Sequence, residues 1–374
     1  MSGKEKYYKV IKKLKKLRNL VKNYAGYPCN ASLDYSELYH FLSMPINNVG
    51  DPYSKSTLRL NTHDFEKEVI EYIAGLYGKK DQFWGYVTNG GSEGNLCGLH
   101  IARNRYPDGI VYFSEHSHYS VKKAAEITRS EAILIPSLKT GEINYEILEE
   151  NLKNNKNKPA IIMANLGTTM TGAIDDCQKI HQILNRQNIT DYYLHYDAAL
   201  HGMIIPYTES HLKMKLDDIH SLTISGHKFI GSPLPCGIFL THKSIIDAEQ
   251  KFVEYININD CTITGSRNAF TPLVLWYGIF RYDGKLLETR AKNCLNLAEK
   301  AVKIFKDEEI TVWRNEVSPI IVFEKPSEKI IHKWQLATYK DIAHLVIMPH
   351  ITEKMIKRFV RDIKEYNLVI MRGV

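Results

Sequence analysis

Nowhere does the 374-residue chain hold an uninterrupted apolar run of about 18 residues, so no membrane-crossing helix is expected. Nor does an apolar segment precede a small-residue cleavage site, and a cytoplasmic location is the expectation. The six cysteines (Cys29, Cys97, Cys177, Cys236, Cys261, Cys294) form no CxxC pair, which argues for reduced thiols and against a disulfide framework or closed zinc site. The 15 histidines include no HExxH, so no metal is expected. Proline (13) and glycine (22) are too sparse for a collagenous or low-complexity chain. The dinucleotide fingerprint GxGxxG and the nucleotide loop GxxxxGK[ST] are both missing.

The body of the chain also lacks an excess charge. Lys and Arg number 49 against 42 Asp and Glu, a net +7, but residues 1–22 hold nine Lys or Arg against Glu5 alone, or +8. The remainder therefore sums to −1, with no basic stripe for a nucleic acid to follow. Within the basic segment Val10, Leu14, Leu17 and Val21 recur at helical spacing, the pattern of an amphipathic helix docked on the body or on a second subunit.

Hydrophobic residues at 44% and charged residues at 24% suit a folded protein with an enzyme-sized core. Residues 26–55, rich in Pro, Gly, Asn and Tyr, predict an extended arm with one short helix, of the kind that wraps a partner subunit. From His63 onward Phe65, Val69, Ile73 and Leu76 share a helix face. Strand candidates follow at 109–115, 131–136, 160–166 and 192–200, separated by the helical stretches VKKAAEITR, YEILEENLKN and DDCQKIHQILNR. This alternation predicts an α/β fold around a mostly parallel sheet covered on both faces. Two short strands, SLTISG and CGIFLTH, flank Lys228. Beyond Asp283 the pattern becomes α+β: a helix over 285–305, strands near ITVWR and PIIVFEK, a helix over 328–338, the strand AHLVIMPH and a terminal helix. The expected division is an arm (1–55), a large domain (56–283) and a small C-terminal domain (284–374).

Three segments could carry chemistry. In VTNGGSEGN (87–95), Gly90 and Gly91 let the backbone approach an anion, and the helix start with Ser92 could hold a phosphate; an ordinary serine-capped loop reads the same way. Asp197 interrupts the apolar YYLHYDAAL, and a carboxylate buried there needs a partner. Lys228 follows a short apolar strand in TISGHKFIGSPLPCG, where a surface lysine is the alternative. Together a phosphate cradle, a buried acid and a lysine 31 residues later suit pyridoxal 5'-phosphate: the lysine forms a Schiff base and the acid keeps the pyridine nitrogen protonated.

From Gly26 onward the chain resembles the pyridoxal-phosphate-dependent group II amino acid decarboxylases, within them the short histidine decarboxylases and the plant-type serine decarboxylases. The motifs are INNVGD, DFEKEVIEY, FWGYVTNGGSEGN, YPDGIVYFSEHSHYSV, ANLGTTMTGAIDD, YYLHYDAAL, SGHKFIGSPLPCG, ITGSRN and DIAHLVIMPH. The resemblance implies the fold type I architecture, with a mostly parallel seven-stranded sheet and a small α+β domain, and a homodimer acting on a free L-amino acid. It implies Lys228 as the Schiff-base lysine beside His227, Asp197 on the pyridine nitrogen, His118 stacked over the ring and Ala199 against the opposite face. Gly91, Ser92 and Ser225 match positions around the phosphate, and Thr168 lies close to the cofactor. Tyr255 matches a mobile-loop proton donor, while Gly265, Ser266 and Arg267 are expected to complete the neighbouring subunit's site. The chain departs from its relatives at expected pocket positions: Leu58, Tyr196, His201, and Phe270 after GSRN-Ala269. Histidine is the first expected substrate and serine the second.

Overall fold

A computed structural model describes residues 3–372 apart from 80, 211, 213, 282 and 283. Helix α1 (Gly3–Val21) carries its apolar residues Val10, Leu14, Leu17 and Val21 exposed. A 3-10 turn (Ser36–Ser43) and strand β1 (Asn47–Val49) lie in the arm, followed by α2 (His63–Leu76). The large domain continues with β2 (Phe83–Thr88), α3 (Gly91–Arg105), β3 (Ile110–Ser114), α4 (Tyr119–Ile127) and β4 (Ala132–Ile135). Next come α5 (Tyr145–Asn154), β5 (Ala160–Asn165), α6 (Cys177–Arg186), β6 (Tyr192–Asp197), β7 (Ser221–Ser225) and β8 (Gly237–His242). Asn144 and Asp176 start α5 and α6 by accepting two backbone N–H groups each, the side-chain capping that helix starts require.

These strands form one seven-stranded sheet in the order β2-β8-β7-β6-β5-β3-β4, parallel from β4 through β7, with β8 antiparallel to both its neighbours. Side-chain alternation divides it into two faces. Ile110, Tyr112, Ile162, Leu194 and Tyr196 face one core, while Val111, Phe113, Ile161, Met163 and Tyr193 face the other, under α3 and α4. Helix α3 lies close on β6 and β7 because it presents glycine there. A Cβ on Gly94 would stand 2.5 Å from the Thr223 side chain, and one on Gly98 2.4 Å from His195 Nδ1.

After β8 come α7 (Lys243–Ile246), β9 (Lys251–Val253), β10 (Ile258–Asp260), β11 (Ser266–Asn268) and α8 (Phe270–Phe280). The C-terminal part is built from α9 (Lys285–Asp307), β12 (Val312–Trp313), β13 (Ile320–Glu324), α10 (Glu328–Trp334), β14 (Thr338–Tyr339), β15 (Ile342–Val346) and α11 (Glu353–Arg372). Its antiparallel sheet, β12-β13-β15-β14, packs through Phe323 on Phe305 and Phe359, ring centroids 5.6 and 5.4 Å apart. The helix expected over 328–338 stops at Trp334, because Gln335 turns left-handed (φ 53°) and Thr338 already belongs to a strand. Strand β4 is an edge strand, so of its apolar run only Ile135 is buried.

Residues 22–30 thread between the two sheets. Val346 N–H donates to Ala25 O (2.9 Å) and Arg358 to Lys22 O (2.7 Å) on the C-terminal side. On the other side Asn30 N–H donates to Lys228 O (3.1 Å) and its amide to Phe229 O (3.1 Å). His344 sits between the carbonyls of Met170 (2.9 Å) and Gly26 (3.0 Å).

Candidate active site

The carboxyl ends of β3, β5, β6 and β7 converge on a cavity of about 230 Å³, the location expected for a ligand in a parallel α/β sheet. Gly91, Ser92, His118, Thr168, Asp197, Ala199, Ser225, His227 and Lys228 all line it, so nine residues singled out in the sequence meet in one place. Pro28 from the arm and the buried Ile320 and Val346 from the small sheet also line it.

Asp197 ends β6 on the α3 side and is 7% exposed. Its Oδ1 accepts Ala199 N–H (3.1 Å) and its Oδ2 accepts the Asn95 amide (2.8 Å). Desolvation pushes the Lys228 ammonium below its ordinary range, against the opposing pull of Asp197 and Cys29. His118 is likewise pushed down by desolvation, with Asp197 raising and Lys228 lowering it. Its Nδ1 lies 2.8 Å from Ser120 Oγ. Thr168 uses its hydroxyl inside its own loop, with Thr171 Oγ1 at 2.8 Å and Ala173 N–H at 3.0 Å.

At the start of α3, Gly90 offers no side-chain cap, so the helix end stays open to an anion. A Cβ on Gly91 would stand 2.7 Å from Ser225 Oγ, which shows how closely this cradle is drawn. Glu93 braces it by accepting from Asn89 N–H (2.9 Å), Tyr86 (3.1 Å) and Thr264 (3.2 Å). An open helix start, a buried carboxylate and a desolvated lysine lining one cavity match the phosphate, pyridine nitrogen and aldehyde of pyridoxal phosphate. The residues present fit that group.

Several expected site residues lie elsewhere. Among the described residues lining this chain's cavity, Leu58, Tyr255, Gly265, Ser266 and Phe270 do not occur. Leu58 packs beside Val49 and Ile258, and Tyr255 stands 83% exposed on a 3-10 turn. Gly265 and Ser266 are exposed, Ser266 accepting from Asn47 (3.1 Å), and Phe270 belongs to an apolar cluster with Leu273 and Val274. Three positions are corrected. Arg267 faces its own chain, paired with buried Glu66 and donating to Gly50 O (2.7 Å) and Val87 O (3.1 Å). Tyr196 is one residue before Asp197 and so faces the opposite side of the sheet, donating to Asp175 O (2.8 Å). His201 lies buried behind the Thr168 loop, 3.2 Å from Ser318 Oγ, and burial pushes its imidazole down to about 3.

Sequence reading missed Asn95, Ser120, Asn165 and Tyr119, which also line the cavity. Asn165 is held by Asp175, whose carboxyl accepts its amide (2.8 Å) and the N–H of Asn165 (2.7 Å) and Ile143 (2.7 Å). Period-two alternation could have found Asn165, since it ends β5 opposite Asp197 in register.

Fold and cavity together define a pyridoxal phosphate enzyme with an α/β architecture. The family model "Pyridoxal-dependent decarboxylase conserved domain" matches residues 85–325, and the chain belongs to that family. It is 42% identical to the histidine decarboxylase of Morganella morganii over 349 residues, covering 92% of each chain. It is 41% identical to serine decarboxylase 2 of Oryza sativa subsp. japonica over 344 residues, covering 91% of this chain and 74% of the rice protein. In fold it matches L-methionine decarboxylase from Streptomyces sp. 590 with a TM-score of 0.89 at 22% identity, covering 98% of this chain and 96% of that one.

Proposed function

We propose that this amino acid decarboxylase converts L-histidine to histamine and carbon dioxide. The observation that carries the reading is the 42% identity to a histidine decarboxylase over 92% of both chains. The rice serine decarboxylase supports ethanolamine formation from L-serine as the second reading, though the chain covers only 74% of it. The lining favours a neutral polar side chain over an acidic one. Its basic groups are Lys228, His118 and His227, with no arginine among the described residues to pair a second carboxylate.

Pyridoxal phosphate, when bound, supplies the electron sink for the pair left on Cα as the carboxylate departs. Lys228 would anchor its aldehyde, Asp197 its pyridine nitrogen, and the α3 start with Ser92 and Ser225 its phosphate, while His118 and Ala199 would flank the ring. Desolvation lowers the affinity of Lys228 Nζ for a proton, which favours the free amine that anchoring an aldehyde requires. The two N–H groups on Asp197 hold its carboxylate in one orientation. Pro28, Ile320 and Val346 give the cavity an apolar stretch of wall that disfavours water there.

The division into an arm (1–55), a cofactor domain (56–283) and a small domain (284–374) is part of the proposal, supported by the separation of the seven-stranded sheet from the four-stranded one. So is a homodimer, supported by the exposed apolar residues of α1, in which Tyr255, Leu58, Phe270 and the Gly265–Ser266 turn would stand near the partner subunit's cavity. Among the described residues no helix is long and apolar enough to cross a membrane. A panel of free L-amino acids, read by carbon dioxide release and by the mass of the amine, tests the reading. Histamine as sole product supports it, ethanolamine replaces it with the serine reading, and neither product overturns both. Lys228→Ala should abolish turnover of whichever substrate is found.

A further inference from the structure

Asn95 stands in the first half of α3, 1% exposed, and no chemistry described above uses it except its bond to Asp197. Its amide makes three bonds. Nδ2 donates to Asp197 Oδ2 (2.8 Å) and to Ser120 Oγ (3.0 Å), and Oδ1 lies 3.1 Å from His195 Nε2. A carboxylate accepts only, so the amide cannot be reversed without setting its oxygen against Asp197. His195 must therefore donate from Nε2.

Behind His195 the same direction holds. Tyr193 donates to Ser221 Oγ (2.9 Å), which leaves the Ser221 proton for His195 Nδ1 (2.8 Å). The His195 ring then carries one proton, on Nε2, in agreement with burial pushing it down to about 4. Ahead of Asn95, Ser120 Oγ accepts the second amide proton and turns its own proton to His118 Nδ1 (2.8 Å). Ser120 N–H faces the same nitrogen at 3.3 Å. A ring nitrogen that receives two donors holds no proton itself.

We propose that Asn95 is a positioning residue that joins Asp197 to His118 through Ser120, orients the Asp197 carboxylate, and fixes the proton of His118 on Nε2. The buried series Tyr193, Ser221, His195 and Asn95 thus sets the polarity of both groups that face the cofactor, on its nitrogen edge and on its ring face. The proton that His118 can offer into the cavity is then always the Nε2 proton. This inference rests on the cofactor reading of the cavity.

The test is nitrogen NMR of full-length protein with labelled histidine, recorded with and without pyridoxal phosphate, beside equilibrium measurement of cofactor affinity. In the unaltered chain His118 Nδ1 should be bare and Nε2 protonated. Ser120→Ala removes one hydroxyl, should give His118 a mixture of tautomers with little change in affinity, and Ser120→Thr should restore the single form. Asn95→Ala should do both: mix the tautomers and weaken cofactor binding about tenfold, as expected for loss of a hydrogen bond to a charged group. A proton on His118 Nδ1 in the unaltered chain, or His118 signals unchanged in both Ser120→Ala and Asn95→Ala, overturns the proposal. If Asn95→Ala does not fold, Ser120→Ala alone decides it. A chain that takes up no pyridoxal phosphate overturns the functional reading instead, and the signals of the unloaded protein still report on the hydrogen-bond series.

Discussion

Gly167 opens the loop that carries Thr168, takes φ +99°, and would place a Cβ 1.9 Å from His201 Nδ1. Gly167→Ala therefore meets two separate costs. The backbone conformation costs a residue with a side chain roughly 1–3 kcal/mol. Pressing a methyl against a packed imidazole adds typically about 1–3 kcal/mol. Only the second depends on His201, which has no room to retreat because its Nε2 is held at Ser318 Oγ and Gly172 packs beside its Cε1 (3.2 Å from a Cβ). In a His201→Ser background the Gly167→Ala step should thus cost only the backbone share. A double-mutant cycle in urea, on full-length protein with saturating pyridoxal phosphate, should return a coupling of about 1–3 kcal/mol. Cofactor retention should fall in Gly167→Ala and recover in part when His201→Ser is added, since the ring shapes the loop that carries Thr168. An equal cost of Gly167→Ala in both backgrounds would refute the reasoning: His201 would then not be what the loop rests on.

Two further outcomes follow from the same interior. Burial pushes His195 down to about 4 and His201 to about 3, below the ordinary 6.5 of an unfolded histidine. Folded-state values are depressed, so the unfolded chain binds these protons first, and stability present above pH 6.5 is lost as pH falls toward 4, by about 3 kcal/mol for His195. Asp175, raised to about 6 by burial, works the other way below pH 6, so the comparison to make is wild type against His195→Gln, in which Asp175 cancels. Urea midpoints at pH 7.5 and pH 4.5 should converge for that pair, and parallel profiles would contradict the argument. Light scattering should find a mass of about twice 43.1 kDa, and a fully active monomer would remove the partner subunit from the proposed site.

Much of this fold was written in local pattern. The strands at 110–114, 132–135, 160–165 and 192–197 stand within the apolar runs that predicted them, because a parallel sheet buried on both faces needs such runs. β2 bears no such mark, because FWGYVT has a glycine inside it and runs straight into the glycine-rich loop. Tyr196 lies outside the pocket by one step of alternation: with Asp197 facing the cavity, its neighbour must face away. His201 sits behind Gly167 by a contact across 34 positions of sequence, and the series around Asn95 joins residues 25 to 102 apart. Local periodicity carries no trace of such pairings. Arg267 shows the same limit, since a charged residue beside an exposed turn gave no sign that Glu66 would receive it.

The arm between the two sheets also bears on the order in which the protein can be made. Residues 22–30 leave the ribosome well before the groups that fix their path: His344 and Arg358 follow their partners Gly26 and Lys22 by 318 and 336 positions. A chain stopped at residue 340 would contain Lys228, Asp197, His118 and the whole phosphate cradle, and of the cavity wall would lack only Val346. It would nonetheless leave Asn30 without the strand and helix that bring its segment to the carbonyls of Lys228 and Phe229. Readiness to take up the cofactor therefore waits on residues made long after the site itself, and loss of the chain beyond residue 340 by truncation or proteolysis should silence a site from which it removes almost nothing.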